Sequence, residues 1–385
     1  MSRIRFALCG NFKAGDELDP YKVTEHEIRQ AILSLINLAP RTPEEIADQL
    51  KLPVAEVGEH LEALERPALV GKVDERYKPS FAIFTIQDQE RLKPLIDELS
   101  RAFVETIQES MNLVHNTYVA CGFSGHGFSF DDIAYILVGA YAFDYGGLGA
   151  LSKAGFLTVA KEMPGGDYVF AGFEGESVDL RSNWQWGHGA LFGRFTFWGH
   201  GQVPPEGARN AFPEQAYRWQ YMEGRSEEEV VSIMEDIGEI LLVLYRNPIE
   251  PEKIAAKAGI ERGKLQEHLD LLQKLEYLGT DGQRLVSACP MADPAAREHI
   301  RGMVETLQSK LIETAVRPRW PRMAQIYNET SPATNEIDIR EGFNMIYHSI
   351  FEQALRSLLE QEIIPRPKRH ADGARYAVWV EYDAR

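Results

Sequence analysis

Cysteine is nearly absent from this chain. Cys9, Cys121 and Cys289 make an odd number with no CxxC spacing, which leaves no disulfide framework and no cysteine knuckle for a metal. Positive charge is in deficit: 41 Lys and Arg stand against 58 Asp and Glu, a net charge of −17. That balance opposes unspecific attraction to a polyanion unless the basic residues gather on one face. No apolar run suggests a bilayer span, and the apolar part of Met1–Cys9 is too short for a secretion signal. The expectation is a cytoplasmic protein with no membrane partner. Enzyme spacings are missing too: there is no GxGxxG after a strand, no phosphate loop, no HExxH and no GxSxG. The reading is a non-enzyme without a metal centre, and the residues name no cofactor.

What is present is repetition. Pro43-Glu44-Glu45-Ile46-Ala47 returns as Pro251-Glu252-Lys253-Ile254-Ala255, and Glu59-His60-Leu61-Glu62-Ala63-Leu64 as Glu267-His268-Leu269-Asp270-Leu271-Leu272, both 208 residues on. Val104-Glu105-Thr106-Ile107-Gln108 matches Val304-Glu305-Thr306-Leu307-Gln308 at an offset of 200, which places a deletion in the second copy, in its wing. Self-similarity at this period reads as a duplicated module, a pseudo-dimer inside one chain.

Apolar spacing at Ile28, Ala31, Ile32, Leu35 and Ile36 predicts a helix. Thr42 with Glu45 forms a capping box that opens the next helix, and Pro53 stands in the first turn of a third. Lys72–Lys78 and Phe81–Thr85 read as strands around a polar turn. This order, with the phrases Glu45-Ile46-Ala47-Asp48-Gln49-Leu50 and Glu59-His60-Leu61-Glu62-Ala63-Leu64, resembles winged-helix repressors of the ArsR and MarR type over roughly 60 residues of each copy. The resemblance implies a third helix lying in the major groove and a wing on the DNA backbone. Further helices are expected over Gln87–Asn116, Phe130–Gly146, Ala295–Ala315 and Ile337–Glu362, and hairpins over Thr158–Phe173 and Pro365–Glu381.

The expected class is α+β, mostly α. It comprises an N-terminal arm (1–20), a first winged helix (21–90), a helical and hairpin extension (91–174), a Gly/aromatic insert (175–228), a second winged helix (229–290) and a second extension (291–385).

Base readout needs Arg, Lys, Asn or Gln early in the third helix. The second copy offers Arg262, Lys264 and Gln266, with Arg284 in its wing; the first offers Val54, Ala55 and Glu56 there, and basic Lys72, Arg76 and Lys78 in its wing. A lone matched histidine, His60 or His268, fits a core position better than a metal ligand.

The insert carries Trp-Gly-His-Gly twice, 12 residues apart. Aromatic walls with a few polar groups suit a planar small molecule, and Tyr141, Phe143, Tyr145, Trp184, Trp186, His188, Trp198, His200 and His126 are its candidate contacts. The opposing reading makes the insert a packed plug, and scattered His126, His188, His200 and Cys121 leave a metal or haem site without a defined spacing.

The leading expectation is a ligand-responsive regulator of transcription that binds double-stranded DNA. It acts as a monomeric pseudo-dimer or as a homodimer of one, its ligand biasing the angle between the two winged helices. The alternative is a winged-helix protein that binds a protein, peptide or small molecule and has lost DNA binding.

Overall fold

The computed structural model describes residues 3–12, 17–175, 185–202, 225–370, 373 and 375–384. The described chain is α+β and mostly helical. It forms two compact units. One comprises Met1–Val104, Gly147–Asn183 and Ser309–Ala354, the other Glu105–Gly146, Trp184–Gln308 and Leu355–Arg385. Each unit therefore draws on both halves of the sequence.

In the first unit, helices Glu27–Leu38, Pro43–Leu50 and Val54–Glu65 lead into the hairpin Val70–Val73/Arg76–Pro79. The capping box forms as the sequence predicts: Thr42 Oγ1 accepts from Glu45 N, and the Glu45 carboxylate accepts from Thr42 N at 3.0 Å. Ile32, Leu33, Ile36, Ile46, Val57, Leu61 and Leu64 are buried against Leu69, Phe81, Ile83, Tyr168 and Phe170. Burial of each large side chain contributes about 1.5–3 kcal/mol.

Residues 4–12, expected as an arm, are a strand. It runs antiparallel to Gly166–Glu174, pairing Phe6 with Gly172 and Gly10 with Tyr168. Its partner lies some 160 residues away, so nothing local marks it. Ala82–Phe84 pairs parallel with Ala171–Phe173, and Lys161–Met163 completes the expected hairpin with the Gly166–Glu174 strand. The helix expected over Gln87–Asn116 breaks: Ile86–Glu109 ends, and Met111–Ala120 begins after Ser110.

In the second unit, helices Glu227–Arg246, Pro251–Ala258 and Arg262–Lys274 precede the hairpin Leu278–Asp281/Arg284–Ser287. Its four-plus-four strands and two-residue turn equal those of the hairpin at 70–79, so the deletion expected in this wing is absent. The strands after the two wings also keep the offset near 208. The string match at 200 therefore does not mark a deletion in the wing.

Of the segment expected as an insert (175–228), residues 185–202 form a hairpin, Gln185–Phe192/Phe195–Gln202, within this unit's own sheet, and residues 176–184 and 203–224 lie outside the described residues. Phe195–Gln202 runs antiparallel to Tyr376–Tyr382, and Met291–Ala292 lies parallel on the other side of that strand. The hairpin expected over Pro365–Glu381 is reduced to a bridge between Arg369 and Arg375, because strand Tyr376–Tyr382 pairs with distant segments instead. Helix Phe130–Lys153 passes through a π-helical stretch, Ile136–Tyr145. By length and composition it is apolar enough to cross a membrane, but 72% of its apolar window is buried by the protein itself.

Candidate functional site

Helices Val54–Glu65 and Arg262–Lys274 each stand third in a run of three helices followed by a hairpin. Val54–Glu65 buries Val57, Leu61 and Leu64 and leaves Val54, Ala55, Gly58, Glu59 and Glu62 exposed. No cation occurs within it. Arg66, just after it, is bound to Glu62 at 3.0 Å. An acidic and apolar face of this kind repels phosphates.

Arg262–Lys274 buries Leu265, His268, Leu269, Leu271 and Leu272. Arg262, Lys264 and Gln266 are exposed in its first two turns, and no acidic residue shares the first turn. Neither Arg262 nor Lys264 forms an ion pair among the described residues; Gln266 Nε2 donates to Asp270 Oδ1 at 2.7 Å.

The wings divide differently. Arg76 donates both terminal nitrogens to Glu45 at 2.7 Å and Nη1 to Pro40 O at 3.0 Å, which commits it to holding the wing on the helix-turn-helix. This guanidinium holds the Glu45 carboxyl below the usual carboxylate range. Lys78 is bound to Glu336. Lys72 lies over the Tyr77 ring at 4.8 Å and remains exposed. Arg284 is exposed and bound to Asp281 across the turn at 2.5 Å. Of the expected backbone-contacting cations, Lys72 is the one that forms no ion pair among the described residues.

The aromatic residues of the second unit converge, but on one another. Trp198 stands opposite Trp379 in the strand register, with rings 9° from parallel and centroids 6.0 Å apart. Tyr145 tilts against Trp198 at 4.6 Å and donates to Gly199 O at 3.0 Å. Trp379 Nε1 donates to Tyr141 Oη at 2.6 Å, and Tyr141 donates to Glu381 at 2.5 Å. Burial and the Glu381 carboxylate raise the Tyr141 phenol, which keeps that donor protonated.

Behind them His200, fully buried, has Nδ1 3.0 Å from Tyr135 Oη and Nε2 3.4 Å from Asp144. Phe143 is buried. His188 lies on the hairpin, opposite Gly199. His126 sits apart, stacked on Tyr245 at 3.9 Å with Nδ1 2.9 Å from Tyr245 O. Trp184 and the Trp186 side chain lie outside the described residues.

Register explains the repeated Trp-Gly-His-Gly. Folded back on itself, the repeat sets Trp198 opposite Gly189, His200 opposite Gly187, His188 opposite Gly199 and Trp186 opposite Gly201. Trp198, His200 and His188 thus each stand opposite a residue with no side chain. A Cβ on Gly189 would fall 2.3 Å from the Trp198 ring, and one on Gly187 the same distance from Asp144. The signal was legible: two copies equally spaced about the Gly193-Arg194 turn are self-complementary in an antiparallel hairpin.

Sequence reasoning missed a cleft in the second unit. It has a volume of about 630 Å³ and is lined by Arg194, Glu239, Arg246, Lys257, Asp293 and Tyr382 with apolar neighbours, and by none of the aromatic residues expected to hold a ligand. Among the described residues no group of three or more His, Cys, Asp or Glu is placed to hold a metal. Burial pushes the Cys121 thiol up to about 12, so it is held as an unreactive thiol.

Comparison with known families matches residues 24–70 to a helix-turn-helix domain. No curated protein and no solved structure matches the chain.

Proposed function

We propose that this protein regulates transcription by binding double-stranded DNA, through two winged-helix modules of the ArsR and MarR kind duplicated in one chain. The observation that carries the reading is a pair of exposed cations, Arg262 and Lys264, with no ion pair among the described residues, at the start of a third helix, where such folds meet the major groove. The helix-turn-helix match at 24–70 supports the class.

Backbone geometry supports the duplication. Left-handed residues recur 208 apart: Lys51 (φ 57°) with Gly259 (φ 74°), Ala68 (φ 56°) with Glu276 (φ 60°), and Asp74 (φ 56°) with Gly282 (φ 63°). The bridge Arg41–Tyr77 likewise recurs as Ile249–Leu285. Positive φ is uncommon outside glycine, so coincidence at three positions is not expected of unrelated segments.

Selection of fragments from sheared genomic DNA by the purified chain tests the function. Enrichment of a discrete fragment, lost as salt rises, is the expected result. Failure to enrich any fragment overturns it.

One observation favours a second reading, in which the first module docks a protein. Val54–Glu65 presents Val54, Ala55, Glu59 and Glu62 where a DNA reader needs cations. On this reading the two modules have divided the work, one meeting DNA and the other a basic partner.

A further inference from the structure

We infer that the 630 Å³ cleft of the second unit binds a small organic carboxylate, held by Arg246 and Lys257. Its volume lies within the range of small-molecule sites. Of its three cations one is paired and two form no ion pair among the described residues, and Asp293 keeps its negative charge as a helix cap. Arg194 is clamped by Glu239 through three hydrogen bonds of 2.8–3.0 Å and also donates to Asp383 O. Asp293 accepts from Ala296 N at 2.8 Å. Arg246 ends helix Glu227–Arg246 and Lys257 stands in the last turn of Pro251–Ala258; both are exposed and neither forms an ion pair among the described residues.

The cleft thus offers two cations with no ion pair among the described residues, beside a small apolar wall that includes Val243, Pro294 and Tyr382. A carboxylate between the cations, with its hydrocarbon body on that wall, satisfies both surfaces. A neutral ligand would leave the cations without a partner, and a bare inorganic anion would leave the wall uncovered.

The first unit supplies a natural control. Counting back 208 residues, Arg246 corresponds to Leu38 and Lys257 to Gln49. Leu38 is 64% exposed, so the position tolerates either residue without a packing demand. The two cations are therefore not required by the shared scaffold.

This inference adds a ligand to the DNA-binding regulator proposed above, and it is tested without DNA. Benzoate, its neutral isostere benzamide, and inorganic phosphate are titrated into the full chain, with binding followed by protein and ligand NMR shifts. Benzoate is expected to bind at least about tenfold more tightly than either of the others, as a charge-assisted contact requires. The variant Arg246→Leu/Lys257→Gln should lose about tenfold in benzoate affinity while its benzamide affinity stays the same. Ala256→Trp, which fills the cleft and leaves the cations in place, should abolish benzoate binding; circular dichroism identifies any variant that has lost its fold. Equal binding of benzoate and benzamide, unchanged affinity in the double variant, tighter binding of phosphate than benzoate, or no binding of benzoate overturns the proposal. Failure here leaves DNA binding standing, and failure to bind DNA leaves this site standing.

Discussion

Helices Val54–Glu65 and Arg262–Lys274 hold the same place in two segments of the same element order, yet one shows glutamates to solvent and the other Arg262 and Lys264. Their buried faces agree: Val57, Leu61 and Leu64 in the first, Leu265, Leu269 and Leu272 in the second, each pair 208 apart. Buried apolar positions and turn geometry repeat between the segments, whereas the Thr42–Glu45 capping box has no counterpart at Glu250. The exposed positions are free of that constraint and carry the difference. A family resemblance that rests on core positions therefore speaks to fold and not to the chemistry of the exposed face.

The sheets make the same comparison in the interior, and it can be broken there. In the first unit Phe6 and Gly10 pair with Gly172 and Tyr168; in the second, Trp198 and Trp379 pair over the Gly189 and Gly187 strand. Gly189→Val drives a methyl group into the Trp198 ring, and overpacking of this kind costs about 1–3 kcal/mol or more. Ala190→Val, one residue on and pointing to the other face, should cost much less. Denaturant unfolding of both variants checks this, and equal stabilities would mean that the glycine pairing does not hold the aromatic cluster.

A smaller difference separates two side chains that reach the end of the first helix of each segment. Asn335 Nδ2 donates to Asn37 O and Oδ1, both at 3.0 Å, while His126 meets Tyr245 O; Asn37 and Tyr245 are 208 apart. Asn335 is buried and His126 exposed. Asn335→Ala should cost about 1–3 kcal/mol, because Asn37 is left with a buried unpaired acceptor, and His126→Ala about 0.5–1 kcal/mol. Costs in the reverse order would contradict the burial argument.

The matched histidines give the smallest effect. Burial lowers the pKa of His268 from its ordinary 6.5, against the raising influence of Asp236, and burial with His26 and Arg29 lowers that of His60. Because the folded value is lower, the unfolded chain protonates first. Stability should be constant above pH 6.5 and fall as the pH drops below it, levelling off once the folded value is passed. His268→Gln should flatten the profile more than His60→Gln, since His268 is 3% exposed and His60 half-buried. Unfolding midpoints between about pH 7.5 and pH 5 check it, and a flat wild-type profile would contradict it.

What the sequence disclosed follows from how far apart the determinants lie. The capping box at Thr42 and Glu45 and the apolar spacing of 28–36 are local, and both elements formed where that spacing placed them. Strand Ile4–Phe12 and hairpin Gln185–Gln202 take their places from partners far along the chain, so residue-by-residue patterns read them as an arm and an insert. The exposed cations of Arg262–Lys274 were legible because surface position follows from helical periodicity. The commitment of Arg76 to Glu45 and of Lys78 to Glu336 was not, since each depends on tertiary contact.

The division between the two helices is tested most directly by paired charge reversals measured on one enriched DNA fragment. Arg262→Glu/Lys264→Glu should weaken binding by about a hundredfold and reduce the slope of log affinity against log salt by about 2. Glu59→Lys/Glu62→Lys in the first helix should preserve or strengthen binding. Equal losses from both pairs, or no loss from the first, would contradict the account.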